Sequence, residues 1–477
     1  MIYTLADVLA RDMDTTIQNI MAVIEADRLD PRQTAIREGV NYYANKGDIL
    51  NAQHYYFDKE GHKHIDETRA TNRITHSFYP LLVKQKVGYL VGKPMTFTAK
   101  DPNVGAYLNE VLGEKWNATV QDLLKDASNK GDEWLYCYID RDGEFNYTIC
   151  PTEQIVPLYD GGFKTYLEGI LRYYQTEDLS HAVTLHVELW TADKVYYFED
   201  SGDGLVLRDK RAHFTVNGVD YNFGCVPFVQ FRNNSEQSTD LSLVKDLIDQ
   251  YDKVVSGLAD DLEEIQSAVF VLKGYQGTDP SEFSTNLRYF KLIKVDEDGS
   301  VNKLEVHIPI EAKDSHVKRL EDDIYRMGMG VDVSAEKLGN SSGVALKFIY
   351  SLLDLKADIA ETQFKRGIRH FMRIIAAWYA VLTGVTFSRK DVKVVFNRSL
   401  IINTKEQIVN VVNSVGLVSA ETLLSNHPFV TDVDFEIQRM LEEGITPLWL
   451  NASSETPAVD ETQTSGGYEN TGENTTE

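Results

Sequence analysis

Cysteine is nearly absent: the 477 residues hold three, Cys137, Cys150 and Cys225, with no CxxC pair. A sparse, odd set excludes a disulfide scaffold and fits a reducing compartment. Long apolar runs are missing too. The longest, Ile374 to Val385, is about a dozen residues, short of the roughly 20 that span a bilayer. Met1 to Asp14 shows no basic stretch followed by an apolar core, so a chain without signal peptide or membrane span, made in a cytoplasm, is expected. Positive charge is scarce, with 48 Lys and Arg against 73 Asp and Glu and a formal net charge of −25. Such a chain does not attract nucleic acid through its overall field, because phosphate contact needs a local Lys/Arg excess. The compact motifs of phosphate, metal and acyl chemistry are absent: no GxxxxGK[ST], no GxGxxG after a strand, no HExxH, no GxSxG. No internal repeat is visible.

What is present is globular composition, 43% hydrophobic and 25% charged, at a length that suggests about two to four domains. The most informative stretch runs from Asp240 to Val269. Leu241, Val244, Ile248, Tyr251, Val255, Leu258, Leu262, Ile265 and Val269 follow at steps of three and four, a heptad stripe that predicts a helix of roughly 43 Å. Between them stand Asp240, Asp246, Asp249, Asp252, Asp260, Asp261, Glu263 and Glu264, against only Lys245 and Lys253. One apolar seam and one acidic face suit a wall element packed against neighbours, with its charge turned to water or to a polyanion that must not stick. A solvated surface helix is the plainer alternative.

Residues 1 to about 130 read as mostly helical, with amphipathic stretches opening at Leu5, from Asn72 to Leu90, and from Tyr107 to Lys130. Gly92-Lys93-Pro94 ends the second, and Met95 to Thr98 is extended. Trp134 to Ile139, Thr184 to Trp190, Val195 to Phe198 and Val226 to Phe231 read as antiparallel strands between Gly-containing turns. After the acidic helix comes a block, Phe270 to Ile308, with hairpin character around Asp298-Gly299. Pro309 stands at the first position of a further helix reaching about Arg326. Met327 to Gly343, with Gly328, Gly330, Gly339 and Gly343, reads as a mobile loop. A long helix without proline follows from Val344 to Leu382, with Gly367 as its natural bend. Asp391 to Ile402 returns to strand. Thr404 with Gln407, Ser419 and Asp432 open three short helices, and the acidic stretch 452–477, lacking Lys and Arg, is expected to be disordered.

Candidate chemistry is thin. His62-Lys63-His64 beside Asp58 reads as a solvated loop rather than a metal pair. Asp260, Asp261, Glu263 and Glu264 could be cast as a two-metal nuclease cluster, but only the i, i+3 and i, i+4 pairs among them share a helix face, and no accompanying His or Lys sits nearby. Lys365-Arg366, Arg369-His370 and Arg373 on the long helix read as partners for acids on a neighbouring element.

Four stretches resemble one family, the portal proteins of tailed double-stranded DNA phages, in particular the type of long-tailed phages of Gram-positive hosts. They are Asn72-Arg73-Ile74-Thr75-His76-Ser77-Phe78 running through Lys86 to Pro94, Leu247-Ile248-Asp249-Gln250-Tyr251-Asp252, Asn340-Ser341-Ser342-Gly343-Val344-Ala345-Leu346-Lys347, and Phe396-Asn397-Arg398. Order and spacing match over roughly residues 20 to 445. The resemblance implies an α+β portal fold with long stem helices, β-rich wing and clip and an α-helical crown, in a dodecameric ring. It would divide the chain into wing (1–235), first stem helix (236–269), clip (270–308), second stem helix (309–326), tunnel loop (327–343), long helix with wing strand (344–403), crown (404–445) and acidic tail (446–477).

It further implies a structural conduit without enzymatic activity or cofactor, seated at the capsid vertex of the virion and assembled in the host cytoplasm. Double-stranded DNA would pass through it, driven by the terminase large subunit, and other partners would be major capsid, scaffolding and head-completion adaptor proteins, with no membrane. Twelve copies at −25 would carry about −300, a field that keeps DNA from sticking. On this reading Asp249, Asp252, Asp260, Glu263, Glu264, Lys313 and Lys318 line the channel, and Val333, Glu336, Lys337, Asn340 and Ser341 belong to the tunnel loop. Arg288, Lys291 and Lys294 face the motor and adaptor from the clip. The seam residues Leu241 to Ile265 pack subunit against subunit. A phage adaptor or scaffold without a channel, and a metal-dependent nuclease, remain the alternatives.

Overall fold

The computed structural model describes residues 3–67, 69–161, 166–265, 269–273, 300–304, 309–332, 343–399, 404–430 and 433–444. They divide into two compact units, one of residues 1–341 with 347–400, the other of 342–346 with 401–477.

The first unit opens with α1 (Leu5–Val8), α2 (Met13–Arg28) and α3 (Pro31–Tyr43). Asp12 and Asp30 cap α2 and α3 by accepting from the amides of Thr15 and Arg32, and Pro31 occupies the first turn of α3. An exposed hairpin of β1 (Tyr55–Phe57) and β2 (Lys63–Ile65) follows. Then come α4 (Phe78–Val91), β3 (Thr96–Ala99) and α5 (Pro102–Lys130). Gly113, at φ 42° and ψ −146°, breaks α5 in a region that favours glycine.

Two antiparallel sheets carry the β-rich part. β4 (Asp132–Ile139) and β5 (Phe145–Cys150) begin the first; β6 (Ile155–Tyr159), β7 (Leu167–Glu177), β8 (Val183–Thr191), β9 (Lys194–Asp200) and β10 (Val206–Ala212) form a five-stranded meander. The small hairpin of β11 (Phe214–Val216) and β12 (Val219–Tyr221) precedes β13 (Phe228–Arg232), which closes the first sheet in the order β13-β4-β5. Trp134, Trp190 and Phe228 pack in a cluster that joins the two sheets. α1 and α2 cover the meander through Val8, Ile20 and Ile24 against Val156, Leu171 and Val187.

A 3-10 turn, Asp240–Leu243, leads into α6 (Lys245–Ile265), so the heptad stripe is not one helix from its first residue. β14 (Val269–Lys273) pairs with β15 (Ser300–Leu304), which makes Val269 a strand residue rather than the end of the stripe. α7 (Ile310–Met327) follows, with Pro309 just outside it. α8 (Gly343–Thr383), which belongs to this unit from Lys347 onward, and β16 (Val392–Val395) complete it, β16 pairing with β3. Helical backbone continues through Gly367, where an added Cβ would stand 2.9 Å from the Gln230 carbonyl oxygen and 3.0 Å from the Phe231 ring. Glycine is required there for close approach to β13 rather than for a bend. The largest core gathers Trp116 of α5, Leu135, Val229 and Phe231 of the first sheet, and Phe364 and Phe371 of α8. Trp116 stacks on Phe371 with ring centres 5.1 Å apart.

The second unit holds α9 (Thr404–Asn413), α10 (Ala420–Ser425), capped by the Ser419 hydroxyl, and α11 (Val433–Glu442).

Candidate functional site

α6 does not stand with a free acidic face. Leu241, Val244, Ile248 and Tyr251 are buried in a cluster with Tyr42 of α3, Tyr79, Leu82 and Val83 of α4, and Leu320 and Ile324 of α7. The upstream half of the heptad seam is therefore consumed within the protomer. Val255 packs at the edge of that cluster, Leu258 is half-buried and Leu262 is exposed.

The acids on the other side hold the segment that precedes α4. The Tyr42 hydroxyl donates to Asp249, which also takes Lys245 at 3.1 Å. His76 Nδ1 lies 2.7 Å from Asp252, with its ring edge against Tyr251. The Ser256 hydroxyl accepts the Ile74 amide at 3.0 Å. Asp260 accepts the backbone amide of Asn72 at 2.6 Å and its side-chain amide at 2.9 Å, with His54 Nε2 at 3.2 Å. Burial lifts the Asp252 carboxyl above its ordinary range against the pull of His76. Burial also opposes ionisation of Asp260, but the bonds from Asn72 and His54 outweigh it and hold the carboxyl low. Asn72 to Ser77 is consequently not helical, and α4 begins only at Phe78.

These contacts correct two channel-lining expectations. Asp252 and Asp260 are buried by the chain itself, because each serves as an anchor for extended backbone or histidine. Asp249 is half-buried, and Lys313 is bonded to Asp261. Glu263 and Lys318 remain exposed. The side chains of Glu264 and Ile265 lie outside the described residues. So do the tunnel-loop residues Val333, Glu336, Lys337, Asn340 and Ser341, the clip residues Arg288, Lys291 and Lys294, and the stretch after Gly444.

Where α6 begins, a charge cluster is fully enclosed. Asp240 lies 3.1 Å from both Lys86 Nζ of α4 and Lys356 Nζ of α8, and accepts from Asn233 at 2.8 Å. Lys86 also donates to Ser128 at 3.0 Å and to Asn233. Lys356 donates to the Gly328 carbonyl at 2.9 Å. Burial pushes the Lys86 ammonium down to about 8, while the two lysines overcome burial and hold Asp240 far below the usual carboxylate range. Five segments, carrying Lys86, Ser128, Asn233 with Asp240, Gly328 and Lys356, meet here, and the only sequence signal is a lysine on an otherwise apolar helix face.

The chain leaving α7 is pinned as well. The Gln85 amide both donates to Val331 O at 2.7 Å and accepts from Val331 N at 2.9 Å. An added Cβ at Gly328 would stand 2.6 Å from Leu82, so this glycine marks close packing on α4 rather than mobility. On the far side, Arg398 bonds to Asp354, Asp358 and Glu361, one face of α8, while Asn397 donates to the Pro94 carbonyl at 2.7 Å and Ser399 to the Tyr89 carbonyl at 2.9 Å. Three of the four family-like stretches thus meet through named contacts: 72–78 with 247–252, and 86–94 with 396–398.

The remaining candidates carry little chemistry. Asp58 bonds His62 at 3.1 Å and His64 at 2.8 Å in the exposed hairpin, and among the described residues no three His, Cys, Asp or Glu group to hold a metal. No helix among the described residues is long and apolar enough to cross a membrane. The basic cluster of α8 departs from expectation. Lys365 pairs with Glu361 on its own helix, Arg366 reaches Gln363, Arg373 donates to the Gly224 carbonyl, and Arg369 meets no acid among the described residues.

Comparison with known proteins follows the same residues. A family model described as phage portal protein, SPP1 Gp6-like, matches residues 25–446. The portal protein of Bacillus phage SPP1 is 35% identical over 441 residues, covering 90% of this chain and 86% of the relative. The portal protein of Clostridium phage phiCD119 is 35% identical over 454 residues, covering 90% and 96%. Among solved structures, a chain of the neck of a native GTA particle computed with C12 symmetry aligns at 9% identity and TM-score 0.40, covering 74% of this chain and 89% of that one.

Proposed function

The chain belongs to the SPP1 Gp6-like family of phage portal proteins, and from that premise we propose that it assembles into a closed dodecameric ring at one capsid vertex. Double-stranded DNA passes through the ring under the terminase motor during packaging and leaves through it at ejection, and head-completion proteins attach to the same platform. The family is structural rather than enzymatic.

One observation within this chain supports assembly above the others. Phe348, Leu352, Leu355 and Ile359 follow at steps of four, three and four along α8, and all are exposed, Phe348 at 75% and Leu355 at 51%. Such a stripe on a folded protomer calls for cover by another copy. Repeated head-to-tail around an axis, that contact closes a ring.

In this reading α6 and α7 are the stem and β14–β15 with the residues between them the clip, where Arg288, Lys291 and Lys294 meet the motor. Residues 327–343 form the tunnel loop, presenting Val333, Glu336, Lys337, Asn340 and Ser341, and 404–445 the crown. With Asp252 and Asp260 withdrawn, Glu263 and Lys318 are the exposed charges left for the lumen among the described residues expected to line it, and the downstream seam, Leu258 and Leu262, is left for the neighbouring subunit.

Electron microscopy of the purified protein tests the proposal. Closed rings with a central hole are expected from the wild type, and folded protomers without rings from Leu355→Glu, which places a charge in the stripe. Open filaments or monomers from the wild type, or normal rings from the variant, would overturn it.

A further inference from the structure

The basic residues of α8 gain company from a distant part of the chain. An open cleft of about 760 Å³ lies between α8 and the segment entering β16. Lys365, Arg366, Arg369, Arg389, Lys390 and Lys393 line it, together with aliphatic side chains and no acid. Arg366, Arg369, Arg389, Lys390 and Lys393 are exposed, and Arg369, Arg389, Lys390 and Lys393 have no carboxylate partner among the described residues. In a chain of net charge −25 this is a local reversal of sign. A smaller cleft of about 300 Å³ shares Arg389 and carries the charge on to Arg373.

The geometry points to a docking cleft for the phosphate backbone of duplex DNA, separate from passage along a channel; this rests on the portal reading and extends it to a second contact with the genome. Lys365, Arg369 and Arg373 stand one helical turn apart along α8, a row of roughly 12 Å. That is the axial rise of about three to four phosphates of one strand. Arginine supplies three of the six cations, Arg366, Arg369 and Arg389, and its planar fork matches phosphate oxygens two at a time. An acidic protein surface answers one or two cations and leaves the rest of such a cleft unmatched, whereas duplex DNA offers a negative charge about every 1.7 Å. The overall acidity of the protein then acts as discrimination: DNA is repelled elsewhere and held only where six cations stand together.

The test uses assembled rings and covalently closed circular duplex DNA, which has no end to enter a channel. Wild-type rings are expected to retain the circle at about 50 mM salt and to release it steeply as salt rises. The triple variant Arg369→Gln, Arg389→Gln, Lys393→Gln removes exposed charge and should keep the rings intact. Its affinity should fall at least about tenfold, and its log–log salt slope should flatten by about 2.7 for three lost phosphate contacts. A control removing as many charges elsewhere, Arg208→Gln, Arg211→Gln, Arg319→Gln, should leave both unchanged. Failure of wild-type rings to bind the circle, an unaffected triple variant, or an equal loss in the control would each overturn the cleft while leaving the portal reading intact. Loss of rings in the triple variant, with protomers still folded, would also overturn it, assigning the cleft to an acidic face of a second copy. If the wild type forms no rings, the portal reading fails by itself. The comparison of wild type and triple variant then judges the cleft on protomers.

Discussion

Asp240→Asn removes the one negative charge between two buried ammoniums. Lys86 is 1% exposed and both lysines lie 3.1 Å from the lost oxygen. Asn fills nearly the same volume, so no cavity forms and the effect is electrostatic. Breaking a buried pair by deleting one partner costs about 3–5 kcal/mol, because the remaining charge has neither solvent nor counterion. Here two charges remain, and Lys86 is the one burial already pushes down to about 8. The variant should therefore deprotonate Lys86 further below its unfolded value. The sign follows from linkage. Where the unfolded chain binds more protons than the folded one, stability rises with pH. That window runs from the folded value of about 8 up to the unfolded lysine range in the wild type, and it extends to lower pH in the variant. Asp240→Asn should thus be far less stable than wild type at pH 7, with the gap narrowing by pH 9. Urea midpoints read by the fluorescence of Trp116 and Trp134 measure it, compared as midpoints because a chain of this size need not unfold in one step. Lys86→Met, which leaves Asp240 paired with Lys356, should cost less. A variant within about 1 kcal/mol of wild type at pH 7, or a gap that widens as pH rises, would refute the reasoning.

Gly367→Ala discriminates two roles by sign: a mere helix glycine would gain about 0.5–1 kcal/mol as alanine, whereas crowding against Gln230 and Phe231 should cost about 1–3 kcal/mol, seen as a lower melting midpoint. Arg398→Met frees Asp354, Asp358 and Glu361 to repel one another along α8 and should cost about 1–2 kcal/mol, since the site is partly exposed; the loss in melting midpoint should shrink in 1 M salt, and a salt-independent loss would point to packing instead. Burial, then Arg373 and Arg389, push the His370 imidazole down to about 4, so the unfolded chain binds the extra proton between pH 4 and 6.5 and stability should fall as pH drops through that window; in His370→Gln the difference in urea midpoint between pH 7 and pH 5 should be smaller than in wild type.

Periodicity served best where one face met one core. Trp134 to Ile139, Thr184 to Trp190, Val195 to Phe198 and Val226 to Phe231 all fall within strands, β4, β8, β9 and, from Phe228, β13, because aromatic and β-branched residues alternate there. β7, Leu167–Glu177, was missed: it carries a glycine, an arginine and a polar end, and its strand character comes from two neighbours, β6 and β8, rather than from its own residues. The N-terminal start of α4 was overextended because Ile74 continues the apolar stripe, whereas its amide is claimed by Ser256. Long-range polar contacts leave no periodic trace. Nothing adjacent to Lys86 announces Asp240, and nothing near Arg398 announces three acids about 40 residues earlier. Gly328 and Gly330 are legible as special positions, but flexibility and close approach demand the same residue, and only the position of Leu82 decides for them.

The acidic face of α6 gains a different meaning from its contacts. A helix whose carboxylates only repelled a polyanion would need no partners for them. Here Asp249, Asp252 and Asp260 each hold a group from residues 42 to 76, and Lys313 of α7 closes on Asp261. The upstream part of the helix is thereby fastened on its apolar side by α4 and α7 and on its acidic side by extended chain. Beyond Asp261 the fastening thins: Leu262 is exposed, and the exposed Glu263 takes the side-chain amide of Asn72 at 3.1 Å. A rigid base and an uncommitted end are what a subunit needs if the same helix is to be positioned by its own protomer and then meet a neighbour farther along. The division falls near Leu258, half-buried in the protomer, which is where contacts between copies would take over from contacts within one.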